Sequence, residues 1–404
     1  MHEGTDPARR AGRRYRRGAG PALAAVALLA LPSAAEAVTL RFAETIMTGL
    51  ANPRGIAVAA DGGVYVAESG SGGDGPTIIS GSGEEQGYGL SGGISRYRAG
   101  VQERVVSELP SFAGPTGAEA TGVQGLAFGA DETLYGTVGL GANPAERAKI
   151  DGLQGANLVG TLTAFRSGGP EVIADIAGFE ASDNPDGGLP DSNPFGVEVT
   201  AGGFVVTDAG GNSVISVDTA GAMATAGVLP PKPNPLFPDF GPPVYQAVPT
   251  GTALGADGSV YFGQLTGFPF LPGAAEVFEL GAGGPNTVGT GFTNIIDVAF
   301  GKDGSLLVLE LDSDSLLGAG TKGAIYALAL DGTARLLFGD LERPTGLAVG
   351  ADGSVYVAVN GFSPTEGGVV RLAPVPLPAA MPLLIGGIGL LAGFSFRRRR
   401  PAIG

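Results

Sequence analysis

The sequence predicts an all-β fold: a six-bladed β-propeller with four strands per blade, in which the N-terminal strand closes the ring. The composition, a repeated hairpin and a last repeat that lacks a strand predict it. The 404 residues include 72 Gly and neither Cys nor Trp. The absence of Cys excludes disulfide scaffolds and cysteine zinc sites. The high glycine content favours many short strands joined by glycine-rich turns.

The repeated unit is a hairpin. It reads Pro-x-Gly, an apolar strand, a turn that often contains Asp-Gly, and a second strand. Asp-Gly favours tight two-stranded turns, and a recurrent hairpin of this kind predicts propeller blades. The six copies span 52–69, 122–139, 193–209, 248–265, 294–311 and 343–360.

Further strands follow each hairpin. Third strands are predicted at 94–98, 162–166, 214–218, 276–280, 324–330 and 369–372. Fourth strands are predicted at 103–109, 171–176, 223–229, 286–292 and 333–341. The sixth repeat has no fourth strand, and 40–50 (LRFAETIMTGL) supplies one from the other end of the chain. Closing the ring in this way removes the exposed sheet edges.

Long connections are predicted on one face of the propeller. The segments 70–93, 110–121, 139–161, 177–192, 230–247 and 265–275 all join strands at the end opposite the Asp-Gly turns. Because function on such scaffolds resides in loops, we expect this long-loop face to be the working face.

The two ends of the chain have the composition of targeting segments. Arginines, an apolar run and Ala35-Glu36-Ala37 predict a signal peptide over 1–37. After the predicted propeller domain, 38–372, the segment 373–404 combines an apolar stretch at 380–396, long enough to cross a bilayer, with Arg397–Arg400. These features predict export, with anchoring by a transmembrane helix, at least transiently.

The C-terminal segment resembles the PEP-CTERM class of sorting signals in its VPLPA variant. The motif residues are Val375, Pro376, Leu377, Pro378 and Ala379. The resemblance implies an exosortase-like membrane enzyme as a partner. The ends carry more arginines than acids, so the body is more acidic than the net charge of −15 for the whole chain. Such a surface repels nucleic acid.

Two groups of oxygen-bearing residues are candidate divalent-cation sites, with calcium as the possible ion. The first is a loop rich in the hard ligands that calcium prefers, although the same residues are common turn formers. It contains Asp183, Asn184, Asp186, Asp191 and Asn193.

The second group follows from aligning the repeats. Glu68, Asp208 and Glu310 close second strands, and Asp297 replaces a glycine found in the other first strands. Together they predict a ring of acidic side chains at the mouth of the central channel of the propeller. Propeller lactonases bind a divalent metal at a similar position. Solvated acids without a metal explain the pattern as well, and the only histidine is His2.

The loop sequences resemble the ScyD/ScyE family, whose members look like NHL-type propellers. The resemblance rests on NPDGGLPDSNPFG (184–196), TDAGGNSVISVD (207–218) and QLTGFPFLPGAAEVFEL (264–280), and it covers roughly 45–372. It implies the fold and export, and it transfers no catalytic residue. Two functions remain open. One is a non-enzymatic surface, matrix or biosynthesis-accessory protein that binds a glycan, a protein or a small molecule. The other is a metal-dependent hydrolase of the lactonase type.

Overall fold

A computed structural model describes residues 38–329 and 331–376. The predicted signal peptide, Leu377–Ala379 of the sorting motif and the apolar stretch 380–396 lie outside these ranges. Within them, no helix has the length and apolar character needed to cross a membrane.

Six antiparallel sheets of the propeller type form the body, as predicted. Strand β1 (Val38–Leu50) belongs to the last blade. Blade 1 contains β2 (Pro53–Val58), β3 (Val64–Glu68), the short β4 (Thr77–Ile79), β5 (Glu85–Arg98) and β6 (Val101–Ala113). Blade 2 contains β7 (Val123–Phe128), β8 (Leu134–Val138), β9 (Thr161–Arg166) and β10 (Gly169–Asp175). Blade 3 contains β11 (Pro194–Thr200), β12 (Gly203–Asp208), β13 (Ser213–Asp218) and β14 (Met223–Val228).

The remaining blades follow after a small two-stranded sheet. That sheet pairs β15 (Lys232–Pro233) with β16 (Val244–Tyr245). Blade 4 contains β17 (Pro249–Leu254), β18 (Val260–Gln264), β19 (Ala275–Gly281) and β20 (Gly284–Phe292). Blade 5 contains β21 (Ile295–Phe300), β22 (Leu306–Glu310), β23 (Lys322–Leu328) and β24 (Ala334–Glu342). Blade 6 contains β25 (Gly346–Val349), β26 (Val355–Val359) and β27 (Gly367–Pro376).

The N-terminal strand completes blade 6. Strand β1 pairs antiparallel with β27, from Val38 opposite Pro376 to Leu50 opposite Gly367. Because β26 pairs with β27 only as far as Leu372, the last residues of β27 have a free side, where the missing N–H of proline is tolerated. The strand therefore continues past the predicted end of the domain at residue 372, and Val375 of the sorting motif pairs with Thr39.

The long-loop segments contain structure that the repeat pattern does not predict. Two 3-10 helices, Pro144–Ile150 and Ala156–Leu158, lie in the segment 139–161. The predicted strand 171–176 ends one residue early, and Ile176 begins the helix α1 (Ile176–Asp183). The Asp175 side chain starts this helix by accepting a hydrogen bond from the Gly178 amide at 3.0 Å.

Side chains pack between neighbouring blades. The rings of Tyr65 in blade 1 and Phe128 in blade 2 lie 5.2 Å apart, and those of Tyr261 and Phe300 in blades 4 and 5 lie 5.3 Å apart. These tyrosines come from the repeated Val-Tyr pair of the second strands, and they serve the packing between blades.

A ring of glycines brings the innermost strands together. A Cβ on Gly55, Gly125 or Gly196 would stand 2.7, 2.4 or 2.7 Å from a carbonyl oxygen of the next blade. Gly346 closes the ring, and its Cβ would stand 2.2 Å from the Arg54 carbonyl oxygen. Only a residue without a side chain permits this approach, so the Pro-x-Gly repeat sets the spacing of the blades around the axis.

We expect Gly346→Ala to lower the free energy of unfolding by about 2 kcal/mol, because the added methyl group must push two inner strands apart. Gly339→Ala is the matched control, since nothing lies within 4 Å of a Cβ at that position in β24. Urea unfolding of both variants measures the difference. Equal stability of the two variants would contradict the role of the glycine ring.

Candidate functional site

Two of the predicted ring acids, Glu68 and Glu310, accept hydrogen bonds from residues around their own blades. Glu68 accepts hydrogen bonds from the Ala51 amide at 2.9 Å and the Ser95 hydroxyl at 2.5 Å. Glu310 accepts them from the Thr293 amide at 2.8 Å and the Ser313 hydroxyl at 2.5 Å. Both side chains are buried, and burial raises the pKa of Glu310. The acid at this repeated position therefore forms a hydrogen bond with the segment that precedes the innermost strand of its blade.

Asp208 makes the same kind of contact in blade 3. Its Oδ1 accepts from the Asn193, Gly210 and Gly211 amides at 2.6, 3.1 and 3.2 Å, and its Oδ2 accepts from the Ser192 hydroxyl at 2.7 Å. The side chain has no exposed surface. Desolvation outweighs these hydrogen bonds and raises the pKa of Asp208 to about 6.

Asp297 is the one predicted ring acid on the wall of the central channel. The cavity there has a volume of about 310 Å³ and is lined by the six inner strands. Asp297 accepts hydrogen bonds from the Val298 amide at 2.9 Å and the Leu347 amide of blade 6 at 2.8 Å. Desolvation raises its pKa to about 7.

Glu198 lies in the same cavity, although it is not among the residues predicted from the sequence. Burial, with a smaller contribution from the charge of Asp297, raises the pKa of Glu198 to about 8. The other five inner strands have alanine at this position: Ala57, Ala127, Ala253, Ala299 and Ala348. The alignment that singled out Asp297 therefore contained the signal for Glu198, two residues further along the strand.

The four predicted acids thus do not gather around the axis, because three of them turn into their own blades. Among residues 38–329 and 331–376, no three Asp, Glu or His side chains stand close enough together to hold a metal ion. Binding of a metal by Glu68, Asp208, Asp297 and Glu310 stays a prediction.

A polar cleft of about 750 Å³ opens among the long connections. Four of the six predicted insertions contribute to it. Its wall contains hydroxyl, amide and carboxylate groups and neither Lys nor Arg. The polar lining residues are Ser80, Ser82, Glu84, Gln86, Thr116, Glu119, Thr121, Asp191 and Asn193. Three oxygens of these lining residues, Gln86 Oε1, Asp191 Oδ1 and Asn193 Oδ1, are buried from solvent and have no hydrogen-bond partner among the described residues.

The predicted calcium-loop residues separate into three groups. Asp183 is exposed at the end of α1, and Asn184 is the C-cap of that helix with a φ of 40°. Asp186 accepts hydrogen bonds from the Gly188 amide at 2.7 Å and the Asn212 side chain at 2.9 Å. Asp191 and Asn193 lie in the wall of the cleft.

Glu180 is a further acid of this region, and it is not among the residues predicted from the sequence. It lies on the same helical face as Ile176 and Ala177 and has no exposed surface. Neither of its carboxylate oxygens has a hydrogen-bond partner in the described part of the chain. Burial, with contributions from the charges of Asp208, Asp186 and Asp191, raises its pKa to about 7.

No protein-family model and no curated protein matches the chain. Solved propeller structures are similar to it at low identity. A gluconolactonase from Xanthomonas campestris is 11% identical with a TM-score of 0.49, over 82% of this chain and 95% of that one. The calcium-binding protein regucalcin from Agrobacterium tumefaciens is 12% identical with a TM-score of 0.44, over 82% and 95%.

Virginiamycin B lyase from Staphylococcus aureus is 14% identical to the chain with a TM-score of 0.40, over 83% of this chain and 99% of that one. At these identities and TM-scores, no activity of the three proteins is assigned to this chain. The assignment of the chain to the six-bladed β-propellers rests on its own strand pairing.

Proposed function

We propose that the chain is an exported, surface-associated binding propeller that takes a polyhydroxylated ligand, such as a saccharide, in the cleft of its long-loop face. The observation that carries this proposal is the chemistry of the cleft wall. Carboxylate, amide and hydroxyl oxygens accept hydrogen bonds from hydroxyl groups, and nine residues of the lining have such side chains. Without Lys or Arg in the lining, the cleft disfavours anions.

Export and surface association are part of this proposal. They are supported by the composition of 1–37 and by the VPLPA-type segment, which would be handled by an exosortase-like enzyme. The ScyD/ScyE resemblance supports a role in a matrix or as an accessory of biosynthesis. The mass of the protein recovered from its native envelope tests whether residues 1–37 are removed and whether the C-terminal segment 373–404 is processed or retained.

The binding proposal is tested by calorimetric titration of the protein with neutral, cationic and acidic oligosaccharides. We expect neutral or cationic sugars to bind with a Kd below about 1 mM. The double variant Glu84→Ala/Glu119→Ala should weaken binding at least about tenfold, or by about 1.4 kcal/mol, because it removes two exposed acceptors from the wall.

Glu171→Gln is the matched control for that titration, since Glu171 is an exposed acid on the outer strand β10, and it should bind as the wild type does. Absence of binding across the panel, or preferential binding of acidic sugars, would contradict the proposal.

A hydrolase acting in the central channel is the second candidate. The observation that favours it is the pair Glu198 and Asp297, two acids with raised pKa values in one cavity, since such groups are suited to proton transfer near neutral pH. Hydrolysis of a lactone or ester by the wild type, with or without added divalent metal, and its loss in Glu198→Ala would support this candidate over the binding scaffold.

A further inference from the structure

We propose that a cavity between blades 5 and 6 binds an anionic membrane lipid, with one acyl chain inside the cavity and the headgroup beside Lys302 and Arg335. The cavity lies at the Asp-Gly turns of these blades, at the end of the propeller opposite the long-loop face. The proposal therefore goes beyond the proposed function, and it requires no saccharide.

The cavity has a volume of about 320 Å³ and a mostly apolar wall. Four strands contribute apolar side chains to it, namely Leu40 of β1, Leu307 of β22, Leu337 of β24 and Val355 of β26. A hydrogen bond of 3.2 Å from the Thr39 hydroxyl to the Leu337 carbonyl joins the two outer strands, β1 and β24, at one side. The volume lies at the lower end of the range for small-molecule pockets, so the cavity can hold part of an acyl chain.

Two cations border this apolar wall. Lys302, in the turn between β21 and β22, and Arg335, in β24, are exposed and belong to the lining. The stem of Lys302 lies beside the turn of blade 6, since a Cβ on Gly353 would stand 3.4 Å from Lys302 Cδ and 3.6 Å from Pro374 Cγ. Within 38–329 and 331–376, neither cation forms a salt bridge. An apolar cavity with two such cations at its border fits an acyl chain that carries an anionic headgroup.

The two acids of the lining are engaged in their own turns. Asp303 Oδ1 accepts hydrogen bonds from the Ser305 amide at 3.0 Å and the Ser305 hydroxyl at 2.6 Å. Asp352 accepts them from the Ser354 amide and hydroxyl, both at 2.9 Å, and pairs with Arg371 at 3.4 Å. The two cations at the border therefore remain available to a headgroup.

The position of the cavity at the end of β27 favours a membrane as the source of the lipid. Pro374 lines the cavity, and the sequence continues past Pro376 into the apolar stretch 380–396, which is predicted to cross a bilayer. The connection from Pro376 to this stretch spans at most about 14 Å. Phe42 on β1 and Leu336 on β24, which are 53% and 55% exposed, add apolar surface to the outer strands of the same two blades. Anchoring through 380–396 would hold the cavity close to the lipid headgroups.

The test is photo-crosslinking of the full chain in phosphatidylcholine nanodiscs that contain a small proportion of phosphatidylglycerol with a diazirine in one acyl chain. We expect labelling of the peptides that contain Leu307 and Leu337, in addition to the apolar stretch 380–396. Phosphatidylcholine with the same diazirine chain should label the two cavity peptides at least about tenfold less, because cations near a membrane surface favour anionic headgroups. Equal labelling by the two lipids would overturn the proposal, as would labelling confined to 380–396.

The double variant Lys302→Gln/Arg335→Gln should lower the labelling of the cavity peptides by phosphatidylglycerol at least about tenfold and leave the labelling of 380–396 unchanged. Arg98→Gln/Arg166→Gln is the matched control, because it removes two exposed arginines at the ends of β5 and β9, and it should be labelled as the wild type is. Unchanged labelling in the first variant, or an equal loss in the control, would contradict the site. If the first variant does not fold, the comparison of the two lipids on the wild type decides.

Discussion

The free energy of unfolding is expected to fall by several kcal/mol as the pH rises from about 5 to about 9. Glu198, Asp297 and Glu180 have pKa values near 8, 7 and 7. Unfolded carboxyls titrate near pH 4. Between these values the folded state binds more protons than the unfolded state, so stability falls as pH rises through this window.

Two substitutions that restore the pattern of the other blades test the source of this pH dependence. Glu198→Ala introduces the alanine of the other inner strands, and Asp297→Gly introduces their glycine. At pH 8.5 in the presence of a chelator, we expect the double variant to be more stable than wild type by about 3 kcal/mol. Its stability should also fall less between pH 5 and pH 9.

Chemical denaturation at three pH values measures both quantities. Acids with lowered pKa values, such as Asp175 and Asp352, act in the opposite direction but below about pH 4, so they do not obscure the comparison. A double variant that keeps the slope of the wild type would contradict the raised pKa values in the channel.

Deletion of residues 38–50 is expected to abolish the soluble, folded protein. The strand β1 buries Leu40, Ile46, Met47 and Leu50, and each side chain of this kind contributes about 2 kcal/mol on burial. Their sum is comparable to the whole stability of a typical domain. The deletion would also leave the β27 edge open to pairing between molecules.

A chain that begins at Val38 is the matched reference for one that begins at Ala51. The first should be soluble and unfold cooperatively, and the second should aggregate on expression. Thermal unfolding and size-exclusion chromatography compare them. A soluble chain beginning at Ala51 with the Tm of the reference would show that β1 does not close the ring.

The fold is predictable from the sequence because the repeat encodes it in every blade. Five of the six first strands have a glycine because neighbouring backbones come into contact there, and the Asp-Gly turn follows from hairpin geometry. Strand β1 is predictable because the sixth repeat supplies only three strands, so its last strand, β27, needs a partner from elsewhere in the chain. The helix α1 is not predictable from the repeat, because it lies in an insertion that has no counterpart in the other blades.

The candidate sites are less predictable, since the sequence gives positions but no side-chain directions. Glu68 and Glu310 occupy equivalent positions, yet they turn away from the channel to bind backbone amides. The burial of Glu180 could not be predicted, because the sequence predicts a strand and a loop in this segment. It follows from the helix α1, which places Glu180 on the same buried face as Ile176. Glu198 was accessible to the alignment, as the single acid in a column of alanines.

We expect the ligand to bind in the long-loop cleft and not in the channel. Hydrogen–deuterium exchange with and without the saccharide selected by titration distinguishes the two locations. We expect protection in the peptides that cover 80–86, 114–121 and 191–193, with the inner-strand peptides 196–200 and 297–300 unchanged. Protection confined to 196–200 and 297–300 would contradict the claim and locate the site in the channel beside Glu198 and Asp297.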